Sequence, residues 1–422
     1  MPASHRDIAL TKSPLRSART IGVLAITQLI GWGTTFESLG VLGRSIAPDL
    51  GLANEMVFAG LSVMMLASAF CGPLVGRLLG RHGAAKVLAA GSVFFCVGLL
   101  VLSVSNGLPL YAVAWILLGS GGAFCLSAPA YAAVVEREGT KGRRSITILM
   151  LFTGLSATIF WPLLSLGNDL IGWRTTLMVC AFLHLFVCVP LYLFALPKPI
   201  AWDTADAGVD APPVAFTARQ GKLAFLLVAT ATTIASFASY GVSPSLLELL
   251  RQSGATPEFA LQLAAARGVI GISARAFDML LGKRGNPFIT AVTGNSFMIL
   301  GFLSLIVLPS STATLWIFIG LYGIGSAVLQ VAKALLPLAL FSPRDYGRQA
   351  ARLSMPQNLA NALAPVVFTA LLDRSGALTV LVVTVLLAGS ALTGILFLMH
   401  LVRQSNRLAA SHSVTARWRS ST

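Results

Sequence analysis

The sequence predicts an all-α membrane protein whose twelve transmembrane helices form two six-helix pseudo-repeats. Three observations predict it. Of 422 residues, 56% are hydrophobic and only 11% are charged, whereas soluble domains carry about 25% charged residues. A soluble chain of this composition would have no polar coat, and mean hydropathy is +0.81. Twelve mainly apolar runs each reach the ~20 residues that a helix needs to cross a bilayer. The basic residues alternate between the gaps that separate these runs, as orientation in a membrane requires.

Residues 1–19 are polar and basic, with Arg6, Lys12, Arg16 and Arg19. The apolar run that follows is too long for a signal-peptide core and ends without a small-residue cleavage site, so 1–19 is expected to be an uncleaved cytoplasmic tail. The runs then fall at 20–47, 53–79, 86–105, 108–135, 145–168, 173–196, 222–250, 257–281, 287–308, 312–341, 347–371 and 376–401. Counted with the run ends that border them, the tail, the even-numbered gaps and the C-terminal end hold 23 of the 30 Lys and Arg residues. The odd-numbered gaps, counted likewise, hold 4 (Arg44, Arg174, Arg251 and Arg374), and Arg267, Arg275 and Lys333 lie deep inside runs. That bias places both termini in the cytoplasm. The polar stretch 197–221 is expected to be a cytoplasmic linker between bundles at 20–196 and 222–402, and 403–422 a second cytoplasmic tail. The linker's Asp203, Asp206 and Asp210 suit a solvated loop better than a metal site.

The net charge of +15 would suggest nucleic acid in a soluble protein, but here it orients helices, and no nucleic-acid partner is expected. Cys71, Cys96, Cys125, Cys180 and Cys188 all lie in apolar runs without CxxC spacing and read as small packing residues. No phosphate loop of the G-x4-G-K-[ST] type and no metal-ligand spacing occurs, so neither a cofactor nor a metal is expected, nor enzyme chemistry.

The halves resemble each other. Leu79-Gly80-Arg81-His82-Gly83 returns as Leu281-Gly282-Lys283-Arg284-Gly285, 202 positions later; Trp115-Ile116 with Gly119 returns as Trp316-Ile317 with Gly320, 201 later; Lys141-Gly142-Arg143 is echoed by Tyr346-Gly347-Arg348, 205 later. A nearly constant offset indicates a duplicated unit.

After the second run stands Gly76-Arg77-Leu78-Leu79-Gly80-Arg81-His82-Gly83-Ala84-Ala85-Lys86. With the duplicated organisation, this stretch resembles the signature of bacterial major facilitator superfamily transporters, over essentially the whole chain. The resemblance implies the major facilitator fold and a gating turn at Gly76, Arg77, Arg81 and Gly83. Gly80 stands where the family places an aspartate. A narrower resemblance rests on Gly31-Trp32-Gly33-Thr34-Thr35-Phe36, Tyr322-Gly323-Ile324-Gly325, Leu336-Pro337-Leu338-Ala339-Leu340-Phe341 and Tyr346-Gly347-Arg348. It is to a subgroup of arsenical-efflux and monocarboxylate-type porters, the second of which carry a functional arginine on their eighth helix. Trp115 stands where drug antiporters place an arginine, and the glycine–proline spacing of their fifth helix is not met at Gly154 and Pro162.

Charges inside a bilayer cost at least about 2.5–3.5 kcal/mol each on insertion scales, so those within runs are site candidates. Arg267, Gly271, Arg275 and Asp278 fall on one helical stripe. Arg275, Arg267 and Lys333 are the expected substrate-binding cations, with Trp32, Gln330 and Asn358 as neutral contacts; Gln357 and Asn361 offer further amides. Glu37, near mid-membrane, is the expected proton-coupling group because burial disfavours the charged carboxylate; Asp278 is the second candidate, or part of the adjacent turn. His184 has the chemistry for proton transfer but reads as core, and Trp161 reads as an apolar wall.

Together these features predict a secondary active transporter, monomeric and multi-pass in the bacterial inner membrane and in contact with membrane lipid. It would move a small-molecule substrate by alternating access with proton coupling. The subgroup resemblance implies efflux of a small toxic species such as a trivalent arsenical. A small organic anion is the alternative, since neutral arsenous acid needs no arginine. A non-transporting receptor or sensor is the alternative of another class.

Overall fold

The computed structural model describes residues 13–199, 214, 216–281 and 286–420. Most of the expected linker, its three aspartates and Gly282–Gly285 of the repeated turn lie outside the described residues. Every regular element among the described residues is helical.

In chain order the helices are α1 (Ser13–Thr34), α2 (Ser38–Leu50), α3 (Asn54–His82), α4 (Ala84–Ser103), α5 (Leu108–Cys125), α6 (Ser127–Glu138), α7 (Arg143–Gly154) and α8 (Ser156–Leu183). Two wide π turns follow at His184–Cys188 and Leu191–Ala195. Then come α9 (Ala218–Gln252), α10 (Pro257–Leu281), α11 (Pro287–Val307), α12 (Thr312–Leu340) and α13 (Tyr346–Ser420).

Starts and stops follow local chemistry. A capping box opens α9: Thr217 accepts from the Gln220 N–H and the Gln220 side chain accepts from the Thr217 N–H. Asn286 caps α11 at the Phe288 N–H, 2.9 Å away, and Ser311 caps α12 at Thr314. Gly83 ends α3 with φ 75, a conformation that side chains rarely adopt. Hydroxyls inside the helices turn back on carbonyls four residues earlier, as at Thr27 and Thr232, which removes their polarity from an apolar setting.

Among the described residues, eight helical stretches are long and apolar enough to cross a membrane. Two of them, Arg143–Ala195 and Tyr346–Arg407, run to 53 and 62 residues. Uninterrupted, each would reach about 80–90 Å, against a hydrocarbon core of ~30 Å. Gly172 and Gly376, both with φ 76, divide them. With large side chains such as Phe70, Phe186 and Phe194 exposed, this is the surface of a multi-pass membrane protein.

The apolar runs differ from the observed helices in a physically simple way. The run 20–47 is interrupted after Thr34: the Thr34 and Thr35 hydroxyls bond the Ile30 and Gly31 carbonyls, and the Glu37 N–H reaches five residues back to the Trp32 carbonyl at 3.0 Å. That widened turn separates α1 from α2. Extended backbone at Leu126 likewise separates α5 from α6.

The chain divides into two compact units, one of residues up to 199 with Pro343–Ala362, the other of residues from 216 to Ser342 with Leu363 onward. Within the first, α5 packs on α4 and α3 through glycines. A Cβ on Gly91 would stand 2.6 Å from the Cys125 Cβ, one on Gly98 2.9 Å from Leu118, and one on Gly119 2.7 Å from Ala67. Within the second, α12 packs on α11 and α10 in the same manner, through Gly294 against Leu329, Gly301 against Leu321, and Gly323 against Ile270. These contacts lie 203 to 204 positions after their counterparts. Gly33 is pressed by the Phe160 ring and Gly241 by the Phe368 ring, 208 positions later in both members. The repeat is therefore carried by close helix crossings at glycines.

Candidate functional site

The expected site residues fall in three places. The first is the break between α1 and α2. Glu37 is half-buried there, and its Oε2 accepts from the Trp161 indole N–H at 2.9 Å. Among the described residues no cation pairs with this carboxylate. An indole is a donor only, so it can serve the carboxylate or the carboxylic acid without a charge of its own. One turn earlier Trp32 is half-buried, its ring edge-on to Phe36 at 5.5 Å. The counterpart of the Glu37–Trp161 pair, 208 positions on, is Ser245 with Thr369, their hydroxyls 3.1 Å apart. Glu37 is thus an ionisable group where the repeat carries a hydroxyl. His184 lies in the core, its Nε2 2.8 Å from the Thr34 hydroxyl and its ring against Phe95.

The second place is the interior of the second unit. Lys333 of α12 reaches the Ser236 hydroxyl of α9 at 3.4 Å. It shares with Gln330 and Asn295 a small, narrow cavity that opens at one side. Arg267 of α10 stacks its guanidinium over the Tyr322 ring at 4.4 Å and donates to the Ser243 hydroxyl at 3.3 Å. The Tyr322 hydroxyl in turn donates to the Ser239 carbonyl. The α10 stripe is divided by its partners: Arg267 faces α9 and α12, while Asp278 is buried and accepts from Thr290 of α11 at 3.4 Å. Asp278 thereby ties together the two helices that flank the second copy of the repeated turn. Arg275 is half-buried on the same helix.

The third place is the turn after α3. Gly76 and Gly72 lie under the start of α13: a Cβ on Gly76 would be 3.2 Å from the Ala351 Cβ, and one on Gly72 3.0 Å from its carbonyl oxygen. Arg77 and Arg81 are exposed. Glu136 of α6 accepts the Ala84 N–H at 2.9 Å and 3.1 Å, capping α4 just after Gly83, and pairs with buried Arg137 at 3.3 Å. Asn358 is half-buried on the first unit's share of α13, beside buried Gln357 and Asn361.

Sequence reasoning did not single out Trp161 as a donor, nor Ser236, Asn295, Tyr322 or Glu136. Their signal is the duplication: a residue that departs in chemistry from its counterpart one repeat away deserves inspection.

The model of the Major Facilitator Superfamily matches residues 23–230 of this chain. An Aspergillus niger protein described as MFS-type transporter pynF is 33% identical over 131 residues, 30% of this chain and 30% of that protein. The chain matches less than a third of the length of the curated relatives it resembles. Among solved structures, the human organic anion transporter MFSD10 (TETRAN) superposes with a TM-score of 0.70 at 16% identity, over 90% of this chain and 99% of that one. The Escherichia coli fucose:proton symporter FucP superposes with a TM-score of 0.66 at 14% identity, over 91% and 99%. The fold is the major facilitator fold.

Proposed function

We propose that this chain, built on the major facilitator fold, is a secondary transporter that carries a small polar solute by alternating access and couples its movement to protons at Glu37. The observation that carries the reading is the Trp161–Glu37 hydrogen bond. A membrane-embedded carboxylate with a neutral donor has lost most of its hydration and has gained no counter-charge, the setting in which a carboxylate exchanges a proton. The protein works as a monomer with twelve spans, in the bacterial inner membrane with both termini in the cytoplasm, and does no enzyme chemistry.

Two cations in the second unit, Lys333 and Arg267, have hydroxyl or aromatic partners, an arrangement that favours a small organic anion as the solute, with Arg275 and Gln330 as further contacts. Efflux of a trivalent arsenical is the second reading. It is favoured by the hydroxyl and amide lining around Lys333, which a neutral hydroxylated species can satisfy.

Proteoliposomes with an imposed proton gradient test the proposal. Accumulation of a labelled carboxylate or of arsenite against its gradient, abolished by a protonophore, is the expected result. A receptor built on this fold would move neither. Growth with arsenite or on carboxylates, with and without the gene, separates the two solutes.

A further inference from the structure

We propose that the second unit contains a pocket of its own, around Lys333 and Asn295, for a small ligand bearing both an anionic oxygen and a hydroxyl, chemically an α-hydroxy carboxylate. The proposal rests on reading the chain as a carrier of small polar solutes. It assigns that solute a chemical type and a place inside one helical unit.

The pocket departs from the repeat at two positions. Where the first unit has Gln28, whose amide reaches across to the Cys125 carbonyl at 2.6 Å, the second has the shorter Ser236, 208 positions later. Where the first has Pro129, the second has Lys333, 204 positions later. The shorter side chain opens space, and the longer one brings a charge into it. Thr232, Ser236 and Ser239 of α9, Asn295 of α11, and Gln330 and Lys333 of α12 supply the polar lining.

The lining states what the ligand must offer. Lys333 has three N–H donors, and its bond to Ser236, at 3.4 Å, is long. No carboxylate lines the cavity among the described residues, so the ammonium calls for an acceptor, best an anionic one. Asn295 calls for the opposite. It is 1% exposed, and its Nδ2 donates to the Ala291 carbonyl at 2.9 Å, which orients the amide. Its Oδ1 is buried without a protein partner. A buried acceptor left unmet is costly, and a hydroxyl donor would satisfy it. A plain carboxylate satisfies Lys333 alone, and a plain alcohol satisfies Asn295 without a counter-charge for Lys333. A hydroxy carboxylate meets both, and the narrow interior restricts it to few heavy atoms.

The test is calorimetric titration of the purified full-length protein with glycolate, acetate, chloride and ethylene glycol at fixed pH and ionic strength. Glycolate is expected to bind saturably at one site, with acetate, chloride and ethylene glycol each at least about tenfold weaker. Asn295→Ala should bring glycolate to the acetate level and leave acetate unchanged, and Lys333→Met should remove both. Acetate or chloride binding as tightly as glycolate, an equal effect of Asn295→Ala on glycolate and acetate, or no glycolate binding overturns the proposal. The ligand series on the unaltered protein decides it even where a variant does not fold. Glycolate binding without flux of any solute overturns the carrier reading and leaves the pocket, whereas flux without glycolate binding overturns the pocket alone.

Discussion

Glu37 and its indole partner form a pair in which one member can change charge and the other cannot. Glu37→Gln keeps the size of the side chain and an oxygen for the Trp161 N–H, so its stability should stay within about 1 kcal/mol of the parent. Proton-driven accumulation should fall at least about tenfold, while solute exchange across the membrane at equal pH persists, because exchange needs no net proton movement. Accumulation at the parental rate in Glu37→Gln proteoliposomes would refute the coupling role. Arg267 is held on Tyr322 by a face-on cation–π contact worth about 0.5–2 kcal/mol. Tyr322→Phe keeps the ring and should leave solute affinity near the parental value, whereas Tyr322→Leu should release the guanidinium and weaken binding of an anionic solute. Equal affinities in the two variants would show that the stacked ring does not position Arg267. At this scale the sequence shows the charges and hides their partners. Glu37 and Lys333 stand out because apolar runs surround them, but Trp161 lies 124 residues from Glu37 and Ser236 lies 97 from Lys333, distances that no local pattern spans.

The helices hold together through glycine crossings, and those crossings set what each element tolerates. A Cβ on Gly33 or Gly241 would enter the Phe160 or Phe368 ring. Gly33→Ala and Gly241→Ala should therefore each destabilise the protein by about 1–3 kcal/mol through overpacking. Gly22→Ala and Gly389→Ala meet nothing within 4 Å and should be neutral or stabilising by up to about 1 kcal/mol, as alanine is the better helix former. Thermal unfolding of the four purified variants checks the contrast, and a lower midpoint for Gly22→Ala than for Gly33→Ala would contradict it. The turn after α3 gives a second case. Glu136→Gln keeps an acceptor for the Ala84 N–H, but Glu136→Ala removes the cap and leaves buried Arg137 without its carboxylate. The alanine variant should lose about 2–3 kcal/mol and the glutamine variant clearly less. Element identity was legible because apolar runs of this length have one stable form in a bilayer. The break at Thr34 was not, since it comes from hydroxyl and amide bonds to the helix's own carbonyls, which hydropathy does not register. The repeat was visible in a few motifs at offsets of 201 to 205, of which the 201 match is displaced: the crossing counterpart of Gly119 is Gly323, while Gly320 has open space around it and Trp316 is exposed where Trp115 is buried. Its real carriers, single glycines and the bulky groups opposite them, are too sparse to be recognised before the crossings are seen.

On the scale of the whole molecule, basic residues concentrate at one set of helix ends, 23 against 4 at the other. Moving a cluster of arginines across a bilayer is costly, and on that ground the twelve-span reading assigns the richer set of ends to the cytoplasm. The structure adds a tie at the ends assigned to the cytoplasm: Arg16 and Arg19 of α1 bond the carbonyls of Lys198 and Ala195, and Ser17 bonds Glu138. At the ends assigned to the outside, Arg174 pairs with Asp49 at 2.9 Å and donates to the Ser103 and Ser105 carbonyls. The twelve-span reading makes these two sets of ends face opposite compartments. Single cysteines placed at exposed Asn106 and Ser310 should react with a membrane-impermeant maleimide on intact cells, while cysteines at exposed His82 and Asp345 should react only after permeabilisation. Four of the five native cysteines are buried and Cys71 is half-buried, so background labelling should be low. Because 82 and 106 flank a single run, as do 310 and 345, each pair tests one crossing in its own half of the chain. Labelling of both members of a pair from outside would remove a span from that half and with it the duplicated six-helix plan.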